Sequence, residues 1–250
     1  MNIKLLSYNL QSWDVTDRRK NGVITIIKEA DPDIICFQEV TIFWYSFLRK
    51  EFKDKYIFTG RDRFYNDKTQ PKRDFERNSI AFKKDKFIYK RCRTYWLSPN
   101  IYEPSRFPGA FFNRIFTTAI LQSKNTNQKF EVISTHFDDR FPDIRAKQGQ
   151  VLAQYVSNEK LPLILMGDFN SEPKEEAYQN VSKVLSDVGK LYHQESFTYH
   201  AYDKYPHERI DYAFVNEEVS TKSFKLIKET FEGLPPSDHY PVEVIINIKN

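Results

Sequence analysis

The run Leu163-Ile164-Leu165-Met166, entered through Pro162 and left through Gly167, constrains this 250-residue chain more than any other stretch. Four consecutive apolar residues between turn-formers predict a short strand covered on both faces, which requires a sheet with material packed above and below it. Asp168, Phe169 and Asn170 follow at once. Side chains two apart share a face of an extended chain, so Asp168 and Asn170 are expected to converge where the buried strand opens to solvent. Asp, Asn and Gly are also ordinary turn residues, and a plain strand-to-loop junction before a helix would use the same letters. The surrounding chain has to separate these readings.

Other strands end in the same way. Lys4 to Tyr8 alternate into a strand ending at Asn9, and Val23, Ile26, Ile27 and Ala30 fall at helical spacing before Asp31-Pro32 stops the helix. Ile34 to Phe37 then form a second buried strand leading to Gln38 and Glu39. A strand, helix, strand order of this length predicts a crossover that puts Asn9 and Glu39 at one end of neighbouring strands. Trp44, Phe47 and Leu48 suggest a short helix, Ser79 to Phe82 a strand, and Tyr95 to Phe112 an aromatic, proline-containing structured loop. Arg114 precedes a strand over Thr117 to Leu121, and Phe130 to Thr135 run into His136. Ile144, Val151, Leu152 and Tyr155 mark an amphipathic helix, and Ala177, Val181, Val184, Leu185 and Val188 another. Ile210 to Val215 read as a strand with Asp211 at its start, and Asp238-His239 precede Pro241 and the closing strand Val242 to Ile248.

At 40% hydrophobic, with Gly at 7 residues and no linker or repeat, the chain is expected to form one domain over residues 1–250. The first residues turn polar at once and no apolar run reaches membrane-spanning length, so a soluble, cytoplasmic, monomeric protein without a membrane partner is expected. Cys36 and Cys92 have no CxxC spacing and no neighbouring His, which argues against zinc and disulfide chemistry. Net charge is +4, but residues 61–93 hold 12 Lys and Arg against 5 Asp and Glu, a local excess of +7 that includes Lys72 and Arg73. That block is either a solvated face or a rim that draws in an anionic substrate such as nucleic acid.

The ordered set Ser7-Tyr8-Asn9, Gln38-Glu39-Val40, Thr135-His136-Phe137, Gly167-Asp168-Phe169-Asn170, Arg209-Ile210-Asp211-Tyr212 and Ser237-Asp238-His239-Tyr240-Pro241 resembles the endonuclease/exonuclease/phosphatase superfamily, the fold of deoxyribonuclease I. The resemblance runs from residue 3 to about residue 248, and Tyr95-Trp96-Leu97-Ser98 with Asn113-Arg114 look closest to small bacterial members near the deadenylase-like branch. It implies an α/β fold, a four-layer α/β/β/α sandwich of two mixed sheets flanked by helices. By the same resemblance Glu39 is the principal Mg²⁺ ligand, with Asn9 and Asp238 nearby and Mn²⁺ a substitute. Asp168 orients or deprotonates the attacking water, Asn170 holds the phosphate or the nucleophile, and His239, held by Asp211, contacts the scissile phosphate. His136 and Arg114 are phosphate contacts, and Asn78 is a further substrate-binding residue. Gln11 stands where some relatives carry an acidic residue, which puts a second metal contact in question.

These residue types suit phosphate-ester hydrolysis on their own terms. Phosphoryl oxygens repel a nucleophile, so such a site needs a hard cation on carboxylate oxygens, a group to orient water, and donors for developing negative charge. A phosphodiesterase or nuclease acting by direct water attack is the first expectation. A phosphomonoesterase for a nucleotide, sugar or inositol phosphate is the second, and a binding protein that kept the fold without the reaction is the third.

Overall fold

The computed structural model describes residues 2–65, 67, 75–193, 196–203 and 208–249. The chain opens with β1 (Asn2–Asn9), α1 (Asp17–Ala30), β2 (Ile34–Gln38) and α2 (Ile42–Glu51), followed by β3 (Tyr56–Thr59) and β4 (Ile80–Lys83). Next come β5 (Phe87–Trp96), β6 (Ile115–Ser123), β7 (Lys129–His136), α3 (Pro142–Ser157) and β8 (Leu163–Asp168). The last third holds α4 (Glu176–Ser182), β9 (Ser186–Asp187), α5 (Val188–Leu191), β10 (Asp211–Val215), β11 (Val219–Leu226) and β12 (Val242–Ile248). Local chemistry sets the helix starts: Thr16 and Thr41 accept side-chain caps from Arg19 N and Trp44 N, which satisfies amide donors that have no partner within α1 and α2. Asp31, with φ at +45°, ends α1 ahead of Pro32.

One sheet runs β11-β12-β1-β2-β4-β3 and the other β5-β6-β7-β8-β10-β9. The expected crossovers are present: β1 and β2 pair in parallel, as do β7 and β8, and α1 and α3 make the connections. Alternation then sorts the side chains into three cores. Ile34, Cys36, Ile164 and Met166 lie between the sheets, Ile35 and Phe37 pack outward with Val23, Trp44 and Leu48, and Leu163 and Leu165 pack outward with Leu152, Ala177 and Val181. Two outer cores under helices and one between sheets make the four-layer sandwich.

Several elements differ from expectation. Tyr95 and Trp96 end strand β5 rather than lying in a loop. Ile88 to Arg91 and Arg93 of β5 are exposed at the sheet edge, so the strand carries no apolar alternation to read. The helix expected from Ala177 through Val188 stops at Ser182; Val184 is exposed, and Ser186 and Asp187 turn into the edge strand β9.

On β7, Glu131 is fully buried, with its Oε1 accepting from Tyr155 Oη at 3.0 Å. Burial, then repulsion by Glu159, pushes its carboxyl up to about 7. Because the folded pKa lies above the unfolded value of ~4.3, the unfolded chain ionises first and stability falls as pH rises from there to about 7. Glu131→Gln is therefore expected to flatten this slope and stabilise the protein by about 1–3 kcal/mol at pH 8. Thermal melts of both proteins at pH 5 and pH 8 measure it, and an unchanged slope would contradict the assignment.

Candidate active site

The inter-sheet core changes character toward one end of the strands. Ile34, Cys36 and Gln38 follow one another on the inward side of β2, Ile164, Met166 and Asp168 on β8, and Val132, Ser134 and His136 on β7. The same parity brings Asn9 inward on β1 and Asp211 on β10. The core thus passes from an apolar layer, through Ser7, Gln38 and Ser134, to a charged layer at the rim. Gln38 Nε2 donates to Ser134 Oγ (3.2 Å) and Ser134 Oγ to Phe37 O (3.1 Å), tying the sheets together just beneath that rim.

Asp168 is 1% exposed and occupies the centre. It pairs in register with His136 on one side and with Asp211 on the other. Its Oδ2 accepts from Asn9 Nδ2 (2.9 Å) and lies 3.5 Å from His136 Nε2 and 3.8 Å from His239 Nε2. Asp168 and Asn170 converge as expected, but by a turn: Asn170 N donates to Asp168 Oδ1 (2.8 Å), and Asn170 takes φ +47°. The Asn170 amide thereby reaches His136 Nε2 (3.0 Å) and Phe137 O (3.1 Å).

Glu39 lies one residue past β2 at φ +57°. Its Oε1 accepts from Asn9 Nδ2 (3.2 Å) and its Oε2 from Ser12 N (2.8 Å). The Asn9 amide nitrogen therefore stands between the Glu39 and Asp168 carboxylates, while its Oδ1 accepts from Gln11 N (2.9 Å). His239 Nδ1 sits 2.8 Å from Asp211 Oδ2, the pairing that the motif order implied. Asp238 Oδ1 is 3.9 Å from His239 Nε2, and no hydrogen bond joins Asp238 to Glu39 among the described residues. Arg114 Nη1 lies 3.1 Å from the His136 ring nitrogens and Nη2 donates to Asp139 Oδ1 (2.8 Å). Asn78, just ahead of β4, donates its amide to Ile115 O (2.6 Å) at the start of β6 in the other sheet.

The electrostatics split the two histidines. Burial would lower the His239 ring, but the charge and hydrogen bond of Asp211, with Asp168 and Asp238, raise it to about 10, so it is an imidazolium. His136 goes the other way: burial, then the cations Arg114, His239 and Arg63, hold it well below its usual value and neutral. Asp168 is raised by burial, then by Asp211, with Glu39 adding to the repulsion.

The Endonuclease/Exonuclease/phosphatase family matches residues 6–239, from β1 through His239. The chain belongs to this family. Human nocturnin is 25% identical over 188 residues, which cover 70% of this chain and 41% of nocturnin, so the chain spans less than half the length of that relative. An endonuclease/exonuclease/phosphatase family protein from Bacteroides thetaiotaomicron superposes with a TM-score of 0.88 at 22% identity, covering 100% of this chain and 98% of that one. A mannosyl-6-phosphatase from the same organism gives a TM-score of 0.88 at 23% identity, covering 98% and 100%. At these identities the two structures establish the fold.

In this member of the family, Asp168, Asp211 and His239 place ligand-capable atoms within 4.8 Å of one another. His239 Nδ1 is engaged by Asp211 Oδ2, and the carboxylate oxygens around it are further candidate donors for a metal. Asp168, Asp211 and Asp238 each place an oxygen within 3.9 Å of the His239 ring nitrogens, and Glu39 is joined to Asp168 through the Asn9 amide. That donor set fits a hard divalent cation.

Sequence reasoning quoted Asn113 only beside Arg114 in the resemblance and passed over Arg63, Glu76 and Asp139. Arg63 Nη1 bonds Glu76 Oε2 (2.9 Å), and Arg63, Asn78, Asn113, Arg114 and His136 line one narrow cleft. No local pattern marks them, because loops distant in sequence bring them together. The basic block also divides. Arg63 and Arg77 lie on the site side, the latter with its backbone paired to Val40, whereas Lys83 and Lys86 bond Asp33. Asp33 precedes β2, on the order of 20 Å along the strand from Glu39. Lys68, Lys72 and Arg73 lie outside the described residues. No helix among the described residues is long and apolar enough to cross a membrane.

Proposed function

We propose that this protein is a divalent-metal-dependent phosphoesterase that cleaves a phosphodiester by direct attack of water. The observation that carries this reading is a buried Asp168 between a neutral His136 and a cationic His239, with Glu39 one amide away. Asp168 is the group that takes or orients the proton of water, and its raised affinity for a proton suits that task at neutral pH. Asn170 fixes the Asp168 carboxylate through its main-chain N–H and presents its side-chain amide beside His136. His239 has Nε2–H available for a phosphoryl oxygen as charge builds there, with Asp211 holding the ring's orientation. Arg114 and His136 form the wall against which the other phosphoryl oxygens rest. Glu39, with Asp238, would hold Mg²⁺ or Mn²⁺, and Asn9 keeps Glu39 and Asp168 apart. When bound, the metal supplies Lewis-acid polarisation of the phosphate.

A phosphomonoesterase is the second reading. It is supported by the likeness in fold to a mannosyl-6-phosphatase and by the Arg114 guanidinium beside His136. A turnover screen over oligonucleotides, a bis-aryl phosphodiester, nucleotides and sugar phosphates separates the two.

Metal dependence is the direct test. Activity is expected to vanish in excess chelator and return with Mg²⁺ or Mn²⁺. Glu39→Gln is expected to shift the metal titration to higher concentration while the melting curve of the metal-free protein stays close to wild type. Full turnover in chelator, or an unchanged titration in the variant, would remove the metal from this reading.

A further inference from the structure

The loop leaving β1 is built to hold one side chain out in solvent. Arg19, in the first turn of α1, is fully buried and directs its guanidinium at carbonyl oxygens. Nη1 donates to Gln11 O (3.3 Å), Trp13 O (2.8 Å) and Asp14 O (2.9 Å), Nη2 to Leu10 O, and Nε to Pro236 O (2.7 Å). A planar fork with every donor on main chain fixes the path of residues 10–14. On either side of Trp13, Gln11 and Asp14 take φ of +52° and +57°, a region that non-glycine residues keep only where their surroundings enforce it. Tyr202 closes the same loop from above, its hydroxyl donating to Gln11 Oε1 at 2.6 Å.

On this support Trp13 is 68% exposed, while Trp44 and Trp96 are 0% and 4% exposed. Among the described residues no ring or cation stacks on Trp13. One residue earlier, the Ser12 N–H holds Glu39 Oε2. A lone exposed indole on a mobile loop would need no explanation. This one is clamped by a buried arginine, bordered by two strained residues, and one residue from the contact that orients Glu39. Rigid support of that kind is what a side chain needs to bind something without losing freedom on binding.

We propose that Trp13 is a substrate-binding residue that stacks its indole on the apolar face of a ring carried by the alcohol portion of the phosphate ester. This rests on the phosphoesterase reading only for the identity of the ester; the stacking itself is read independently. The rings with a suitable face are a nucleobase or the apolar side of a pyranose.

Because the other two tryptophans are buried, red-shifted emission and access to acrylamide report on Trp13. The test titrates Asp168→Asn protein in Mg²⁺ with an adenosine dinucleoside monophosphate, a hexose 6-phosphate and glycerol 3-phosphate. Quenching and loss of acrylamide access are expected with a ring-bearing ester and not with glycerol 3-phosphate, and Trp13→Phe should abolish the acrylamide response. A response to the dinucleotide assigns the ring as a base, and a response to the hexose phosphate alone assigns it as a sugar. On otherwise wild-type protein, Trp13→Ala is expected to raise KM for the ring-bearing ester by about 10- to 100-fold and leave kcat within about twofold. Equal responses to all three esters, no response to any, or an unchanged KM in Trp13→Ala overturns the assignment. Absence of ester turnover by wild type, with the fluorescence response intact, would instead fail the phosphoesterase reading and leave Trp13 as a binding residue.

Discussion

Asp168→Asn and His239→Ala are each expected to lower kcat by roughly 10² to 10⁴ while the proteins fold normally. The first keeps the volume and the hydrogen bond to the Asn170 N–H but removes the carboxylate proposed to receive the proton of water. The second removes the histidine that its neighbouring carboxylates favour as a cation, the other ring being held neutral by burial and by Arg114. Asp211→Asn probes the same pair more gently. With Asp211 neutral, burial of His239 is opposed only by Asp168 and Asp238, so the ring loses its proton at lower pH. The alkaline limb of the kcat profile is expected to move down toward neutrality, whereas wild type stays active well above pH 8. Steady-state kinetics across pH on the three variants, with melting curves as controls, check both statements. Near wild-type kcat in either of the first two would remove that residue from the mechanism.

Gly167→Ala is expected to destabilise the protein by on the order of 3 kcal/mol and to abolish turnover with it. A Cβ at position 167 would stand 2.1 Å from Thr135 O and 2.9 Å from Thr135 C and N. All three atoms belong to the backbone of β7, so no side chain can swing away to make room. Gly167 is also at φ +153°, at the margin of what other residues adopt. Relief requires pushing β7 from β8 at the Thr135 and Gly167 pairing, one step before the His136 and Asp168 pairing. Stability and catalysis should therefore fall together, unlike in Asp168→Asn. Urea unfolding alongside kcat measures the coupling; a stable, active Gly167→Ala protein would show that the strands part without cost.

The charged rim was legible in the sequence because each member ends a strand whose apolar residues announce it. Asp168 follows Leu163 to Gly167, Glu39 follows Ile34 to Gln38, and His136 follows Phe130 to Thr135. Alternation fixes which way those strands face, so the convergence of Asn9, Asp168 and Asp211 follows from parity and strand order. Arg63 and Asp139 were not legible, since their places depend on how two loops fold over the cleft. Edge strand β5 was hidden for another reason: its side chains from Ile88 to Thr94 meet solvent or are only partly covered, and they follow no pattern. Asn170 shows a third kind of difficulty. Its position was anticipated, but an Asx turn and not strand alternation puts it there, and only the backbone geometry distinguishes the two.

Asn9 and Glu39 ride on one sheet, whereas Asp168, Asp211 and His136 ride on the other. Apolar contacts between sheets are non-directional, so that core by itself resists separation far better than it resists sliding. The bonds of Gln38 to Ser134, Ser134 to Phe37 and Asn9 to Asp168 are directional, and they sit where the reacting groups are. Since a displacement of about 1 Å can cost a reaction roughly a hundredfold, the proposed chemistry would act as a shear gauge on its own scaffold. On that reading, turnover is expected to register a slip of one sheet past the other while both sheets are still intact.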